Sequence, residues 1–169
     1  GTVNYNGTAQ TVGVYTYNNL TLSGSGIKTL TGVTTIGGNF TLSGSAATTA
    51  TAALTCGGNI TLGAGTSFTS GAFTHNIAGN WVNNGATFNN TASTINFNRG
   101  GVQSLGGSAS TTFNNLILAT SGIKTFSAAT TIAGNLSITG TASANLGTIT
   151  THTANALALG GVNQLSGTW

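Results

Sequence analysis

The stretch TIGGNFTL at Thr35–Leu42 returns twenty residues later as TCGGNITL at Thr55–Leu62. Two further variants are NIAGNWVN, which ends at Asn83, and TIAGNLSI, which ends at Ile138. A step of about twenty residues is too short for a pair of helices and is typical of one coil of a parallel β-solenoid. The repeat therefore predicts an all-β chain of stacked coils.

One asparagine recurs at the same place in each stretch and extends the series along the chain. The set is Asn19, Asn39, Asn59, Asn80, Asn115, Asn135 and Asn155. We predict that these residues share one column and form a structural ladder along a single solenoid spanning 1–169. Roughly eight or nine coils fit this length, but the interval 83–107 departs from the step and its coil assignment stays open.

The residues after each asparagine alternate between apolar and polar side chains. After Asn39, Phe40 and Leu42 are apolar and Thr41 lies between them. This period of two is typical of a strand with one buried face. Glycines flank the strands, as corners with positive φ require, and no segment looks like a cap. The prediction is an uncapped parallel β-solenoid.

A longer repeat is superimposed on the short one. Residues 17–42, YNNLTLSGSGIKTLTGVTTIGGNFTL, match FNNLILATSGIKTFSAATTIAGNLSI at 113–138, an offset of 96 residues. We divide the solenoid into repeat units 1–92 and 93–169, the second incomplete. The offset is close to five coils, which predicts copies about 24 Å apart along the axis. GGVNQLSG at 160–167 echoes GGVQSLGG at 100–107 and predicts the start of a third copy.

The chain has no aspartate or glutamate, and its three lysine and arginine residues give a net charge of +3. Without carboxylates, acid–base pairs, Ca²⁺ or Mg²⁺ sites and a Ser-His-Asp triad lack essential groups. We therefore expect neither an enzyme nor a cofactor. Three scattered cations make no nucleic-acid-binding patch, and no apolar run is long enough to predict membrane insertion.

GSGIKT at Gly24–Thr29 resembles the end of a phosphate-binding loop. Ile27, however, separates the last glycine from Lys28, whereas such a loop has the lysine directly after the glycine. We interpret the motif as structural, with Ile27 in the core and the Lys28 ammonium in solvent at a corner. Lys124, its equivalent in the second copy, is likewise expected to place a charge on the surface.

Cys56 and the two histidines are the remaining reactive side chains. Cys56 stands where Ile36 stands in the preceding coil, which predicts a small buried hydrophobe. His75 and His152 occupy different ladder positions and lack a third ligand, so no metal site is expected. With so few titratable groups, we expect stability to vary little below neutral pH.

Two Thr-x-Thr triplets suggest a binding face. They place Thr29, Thr31, Thr49 and Thr51 in one column, which TSG at Thr69 interrupts. Flat Thr-x-Thr ladders on β-solenoids resemble the ice-binding faces of antifreeze proteins. These four threonines are therefore the candidate residues for binding through a flat face.

The phrases GTVNYNGTAQTV, TYNNLTLSG and TTIGGNFTL resemble the tandem repeats of very large secreted surface proteins of Bacteroidota and related bacteria. The resemblance covers nearly the whole chain and implies a β-solenoid adhesin or fibre-forming stalk that is extracellular or on the cell surface.

The open strand edges of an uncapped solenoid suit stacking, and a head-to-tail contact that does not close generates a filament. We expect a structural fibre, stalk or filament whose partners are identical chains or neighbouring repeats. The alternatives are an adhesin module that binds a glycan or a surface through Thr and Asn faces and, third, an ice-binding protein.

Overall fold

Short strands separated by glycine-rich corners make up the described chain, residues 1–165 of a computed structural model, and none of these residues is helical. The strands are β1 (Thr2–Tyr5), β2 (Gln10–Val12), β3 (Asn19–Leu22), β4 (Ser25–Leu30), β5 (Thr35–Ile36), β6 (Phe40–Leu42), β7 (Ser45–Ala50), β8 (Thr55–Cys56), β9 (Ile60–Leu62), β10 (Ser67–Thr69), β11 (Thr74–Ile77), β12 (Trp81–Asn83), β13 (Thr87–Asn89), β14 (Thr94–Phe97), β15 (Gln103–Gly106), β16 (Thr111–Phe113), β17 (Asn115–Leu118), β18 (Ser121–Phe126), β19 (Thr130–Ile138), β20 (Thr141–Asn145), β21 (Thr153–Leu159) and β22 (Val162–Asn163).

The strands stack into three sheets around one axis. Sheet 1 has the order β1-β3-β6-β9-β12-β15-β18-β20, and sheet 2 has the order β2-β4-β7-β10-β13. Sheet 3 has the order β5-β8-β11-β14-β17-β19-β21-β22, with β16 beside β19. All pairings between coils are parallel, and sheet 1 contributes one strand to each of eight coils. The predicted parallel β-solenoid with coils of about twenty residues is confirmed.

The core follows the alternation read from the sequence. Phe40 pairs with Leu20 on one side and with Ile60 on the other, and all three side chains are buried. Thr41 lies between two inward residues and is only half-buried. Each fully buried Leu, Ile or Phe contributes about 1.5–3 kcal/mol, so the inward columns form a continuous apolar core along the axis.

The two long repeats lie on different sheets, which corrects the expectation drawn from their offset. Leu20 belongs to sheet 1, whereas its equivalent, Leu116, belongs to sheet 3. From β3 to β15 the chain completes four coils, and it passes two further faces to reach β17. The offset is therefore four and two-thirds coils, or about 22 Å along the axis. The second copy is rotated by one face.

The irregular interval 83–107 is a longer coil. Asn80 and the next residue in its column, Ser104, are 24 residues apart, whereas Asn59 and Asn80 are 21 apart. Asn83 takes the register position of Leu62 but is a buried polar residue. Its Oδ1 accepts the N–H groups of the following corner, those of Gly85 and Ala86.

An aromatic cluster fills this wider coil. The ring of Trp81 lies 4.8 Å from that of Phe88 and 5.2 Å from that of Phe113, both in edge-on geometry. Trp81 is fully buried, and its Nε1–H donates to Thr111 Oγ1 at 3.3 Å. The larger circumference of this coil encloses more space, and the large aromatic side chains fill that space.

Tyrosine hydroxyls tie the first coil together. Tyr17 donates a hydrogen bond to the Gly13 carbonyl at 2.6 Å, and the Gly13 N–H donates to the Tyr5 hydroxyl at 3.1 Å. The two hydroxyls are 3.0 Å apart. Among the described strands β1 pairs only with β3, and the hydroxyl bonds hold the cross-section of this coil.

The described end of the chain does not continue the stack with a third copy of the long repeat, contrary to the prediction for 160–167. Val162 and Asn163 form β22, which turns back antiparallel onto β21. Leu165 is 92% exposed, whereas Leu105, its counterpart in the echoed sequence, is buried. Leu105 is held between Trp81 and Phe126 of the adjacent coils, whereas no strand within residues 1–165 pairs with Leu165. Residues 166–167 lie outside the described part.

Candidate functional site

Side-chain oxygens on sheet 1 link successive coils through an asparagine ladder. The Oδ1 atoms of Asn19, Asn39 and Asn59 each accept the backbone N–H of the next asparagine, at 2.8 Å. Asn80 ends the run by accepting the N–H of Ser104, also at 2.8 Å. These bonds satisfy backbone donors at the corners before the strands, where the strand pairing does not reach.

The other three predicted ladder residues do not extend this column, because the second copy is rotated. Asn115 and Asn135 lie on sheet 3, where the Asn135 N–H donates to Asn115 Oδ1 at 3.0 Å. Asn155 is exposed, and Ala156 rather than Asn155 lies opposite Asn135. The structure thus has two separate ladders, and Asn155 is outside both.

Lys28 lies inside the solenoid, which reverses the orientation expected from the sequence. Its side chain is 0% exposed, whereas Ile27 is 63% exposed. The ammonium donates to the carbonyls of Gly7 and Ser25, both at 2.7 Å, and to that of Thr8. Gly7 and Thr8 belong to the preceding coil, so the ammonium ties two neighbouring corners together.

Lys124 repeats this arrangement in the second copy and is also fully buried. Its acceptors are the carbonyls of Arg99 (2.6 Å), Gly101 (3.1 Å) and Ser121 (3.1 Å) and the Oε1 atom of Gln103 (2.8 Å). We call the acceptors around each ammonium a lysine cradle. Burial lowers the pKa of Lys124, and the nearby positive charge of Arg99 lowers it further.

Strand alternation explains why each lysine points inward. Lys28 and Leu30 are two residues apart in β4 and therefore share a face, while Ile27 and Thr29 share the other. Leu30 is fully buried between Val12 and Ala50. Burying Leu30 places Lys28 inside, and the cradle supplies the polar contacts that a buried charge requires. Neither lysine therefore adds to the charge of the surface, contrary to the expectation.

His75 is a second buried polar side chain whose atoms are fully used. Its Nδ1 accepts the Leu54 N–H at 3.0 Å, and its Nε2 bonds the Ser70 carbonyl at 2.7 Å. These partners require the neutral tautomer with the proton on Nε2. Burial lowers the pKa of His75, although the bond to Ser70 opposes the shift.

Cys56 is buried, as expected, and its Sγ lies 3.2 Å from the Gly38 carbonyl. Burial raises the pKa of this thiol, which disfavours the reactive thiolate. Within residues 1–165, no three His, Cys, Asp or Glu side chains come together to hold a metal ion. The same residues contain no helix that could cross a membrane.

The buried His75 changes the expectation of pH-independent stability. Its pKa in the fold is lower than in the unfolded chain, so the stabilisation is complete above about pH 6.5 and is lost as the pH falls below it. Urea unfolding at pH 7.5 and pH 5 should show a lower midpoint at pH 5, and the free energy of unfolding should be lower there by up to about 1.4 kcal/mol per unit of difference between the folded and unfolded pKa of His75.

His75→Leu is the control for this pH dependence. The variant leaves the Leu54 N–H and the Ser70 carbonyl without their partner and should be less stable at both pH values. Its two midpoints should nevertheless lie closer together than those of the wild type. An equal pH dependence in the two proteins would show that His75 is not its source.

The candidate threonine face lies on sheet 2. Thr29 pairs with Thr11 and Thr49, and Thr49 pairs with Thr69, so these four residues form one column. Thr69 therefore continues the column that its TSG context was expected to interrupt. The column ends at Asn89, whose Nδ2 donates to Thr69 Oγ1 at 3.1 Å.

Thr31 and Thr51 lie just beyond the ends of β4 and β7. The Thr51 hydroxyl donates to the Leu30 carbonyl at 2.5 Å and accepts the Gly32 N–H at 3.1 Å. Because these bonds occupy the hydroxyl, Thr51 belongs to the corner. The second outward column of sheet 2 contains Ile27, Ala47, Ser67 and Thr87. The face is thus one threonine column beside a mixed one.

Comparison with models of known protein families, with curated proteins and with solved structures found no match.

Proposed function

We propose that this protein is a structural β-solenoid that forms an extracellular or cell-surface fibre, stalk or filament. The observation that carries the proposal is the parallel stack of eight coils, whose backbone pairing runs along the axis. Such a stack is extended in one direction, and each coil depends only on its neighbours. It can therefore be lengthened by adding coils without a change of design.

The polar side chains inside the stack support this proposal. The asparagine ladders and the two lysine cradles bind one coil to the next at the corners. Of the three lysine and arginine residues, only Arg99 is exposed. The ionic groups thus hold coils together, and the side walls are nearly neutral. The extracellular or cell-surface location rests on the resemblance to secreted bacterial repeat proteins.

Electron microscopy of the purified chain tests the fibre proposal. We expect unbranched filaments whose thickness is that of one or a few solenoids, with a diffraction repeat near 4.8 Å along the filament axis. A diffraction repeat perpendicular to the filament axis would refute stacking of the coils along the filament, and monodisperse particles at every concentration would refute self-assembly into a fibre. Dilution into urea above the unfolding midpoint should abolish both the filaments and the repeat.

A second candidate function is adhesion through sheet 2. The threonine column Thr11, Thr29, Thr49 and Thr69 favours it, because these outward residues recur at each coil, about 4.8 Å apart. A glycan array separates the two functions, since an adhesin shows saturable binding that Thr29→Val and Thr49→Val weaken. Ice binding, the third reading, is decided by thermal hysteresis of the wild type and the same variants.

A further inference from the structure

The C-terminal end of the solenoid has an apolar opening. Phe126, Leu136, Leu146 and Leu157 are among the side chains that line a cavity of about 220 Å³ there. Phe126 and Leu146 come directly after Thr125 and Asn145, the last register pair of β18 and β20, and Leu146 is 44% exposed while Phe126 is buried. We call this cavity and its lining the C-terminal mouth. The apolar core is therefore open to solvent at the last described coil.

The strand edges at this end are unequally protected. β22 pairs with β21 and covers the end of sheet 3, whereas β20 on sheet 1 pairs only with β18 among the described strands. The free edge beside the C-terminal mouth is therefore that of β20. An unpaired edge is a template for a further strand.

The opposite end also presents an unpaired edge and apolar side chains. β1 pairs only with β3 among the described strands, and Val3 in β1 is 45% exposed. Val14 and Tyr15, from the corner after β2, are exposed as well. Apolar surface is thus present at both ends of the described stack.

The second repeat shows how a strand like β1 receives a preceding coil. β14, with the sequence TINF, is the second-copy counterpart of β1, with the sequence TVNY. It pairs in parallel with β11 on one edge and with β17 on the other. Ile95, which corresponds to Val3, is buried against the coil that carries His75. The β1 sequence type therefore accepts a neighbour on both edges.

We propose that the C-terminal mouth is the docking surface for the first coil of a second copy of this chain, with β1 of the second copy pairing in parallel with β20 of the first. Val3 of the second copy then covers the apolar core at the mouth. This head-to-tail contact keeps the strand direction of the stack, and it leaves a free end for each chain added. The inference rests on the proposed fibre function and specifies its interface.

Complementary blocked ends test this contact in sedimentation velocity experiments. Val3→Lys blocks the first coil, and Leu146→Lys blocks the mouth. Both residues are partly exposed, so the variants should fold, which far-ultraviolet circular dichroism and thermal melting check. Each variant alone should sediment as a single chain, and an equimolar mixture should form a dimer and nothing larger. Val102→Lys, a matched change on a side wall, should assemble like the wild type.

The outcomes separate the interface from the function. Filaments formed by either blocked variant alone, or a dimer of Val3→Lys alone through two facing mouths, would overturn the proposed contact while the fibre function stands. Leu146→Gln, a milder change, should shift the assembly threshold to at least tenfold higher concentration, and an unchanged threshold would contradict the contact. A wild type that stays a single chain at every concentration would overturn the self-assembling fibre, and the contact with it.

Discussion

Replacing Lys124 by methionine is expected to lower the free energy of unfolding by about 3 kcal/mol or more, because several buried acceptors lose their donor. The three N–H donors of the ammonium are shared among three backbone carbonyls and Gln103 Oε1. Methionine fills the space of the stem but donates nothing, so these acceptors are left unsatisfied at about 1–3 kcal/mol each. The variant also avoids the cost of removing the ammonium from water, so the total loss of stability is smaller than the sum of the penalties for the unsatisfied acceptors.

The measurement is the urea midpoint of the variant against that of the wild type at neutral pH. Arg99→Met provides the matched control, because Arg99 is the exposed one of the three lysine and arginine side chains and its loss should change stability by no more than about 0.5 kcal/mol. A Lys124→Met variant as stable as Arg99→Met would show that the cradle does not hold the corner.

The first cradle extends the test. Lys28→Met should cost a similar amount, because its ammonium has three carbonyl acceptors, from Gly7, Thr8 and Ser25. The two cradles are about 22 Å apart along the axis and share no partner, so the double variant should show the sum of the two losses. A clear departure from additivity would mean that the two cradles are energetically coupled through the coils between them.

Replacing Trp81 by alanine is expected to cost about 3–5 kcal/mol, the range for deleting a large aromatic side chain from a packed core. Trp81 contacts Phe88 and Phe113 edge-on and fills the coil that has three residues more than the preceding coil of 21. The 24-residue circumference cannot contract around the smaller side chain, because Asn83 anchors the following corner.

Thermal and urea unfolding measure this loss, and Trp81→Phe distinguishes volume from the hydrogen bond to Thr111. Phenylalanine keeps most of the packing, so it should recover more than half of the stability lost in Trp81→Ala. Ile60→Val, in the register position one coil earlier, is the mild reference at about 0.5–1.5 kcal/mol. A loss for Trp81→Ala no larger than for Ile60→Val would contradict a core that depends on this ring.

The rotation between the two long repeats affects any binding face. Ile27 and Thr29 point outward from sheet 2, whereas their equivalents Ile123 and Thr125 lie on sheet 1. A face carried by one repeat is therefore displaced by one-third of a turn in the next. This geometry suits a fibre whose properties are similar all round better than it suits one long flat binding surface.

Much of the fold could be predicted from local patterns. The step of twenty residues gave the coil, and the alternation around Phe40 and Leu42 identified the inward columns. The same register predicted the ladder from Asn19 to Asn80. These features depend on neighbours in sequence or on residues exactly one coil away. A repeating sequence brings such residues together in every coil, so the pattern specifies the contact.

The candidate side chains were less well predicted, because composition obscured their orientation. Ile27 is more apolar than Lys28, which favoured burying the isoleucine. The usable signal was the spacing of Lys28 and Leu30, which places both on one face of the strand. His75 offered no comparable signal, since its partners, Leu54 and Ser70, come from other parts of the coils.

By itself, the sequence determined that this chain winds into parallel coils and which columns form its apolar core, because both follow from short-range periodicity. Only the tertiary structure decided that the lysines are buried and that the second repeat is rotated by one face. A buried ammonium needs carbonyls from the preceding coil, which the sequence around the lysine does not specify. The face on which a stretch lies depends on the number of residues in all the coils before it. The extra residues of the longer coil around Trp81 change the face on which all later residues lie. Periodicity alone does not reveal this coil.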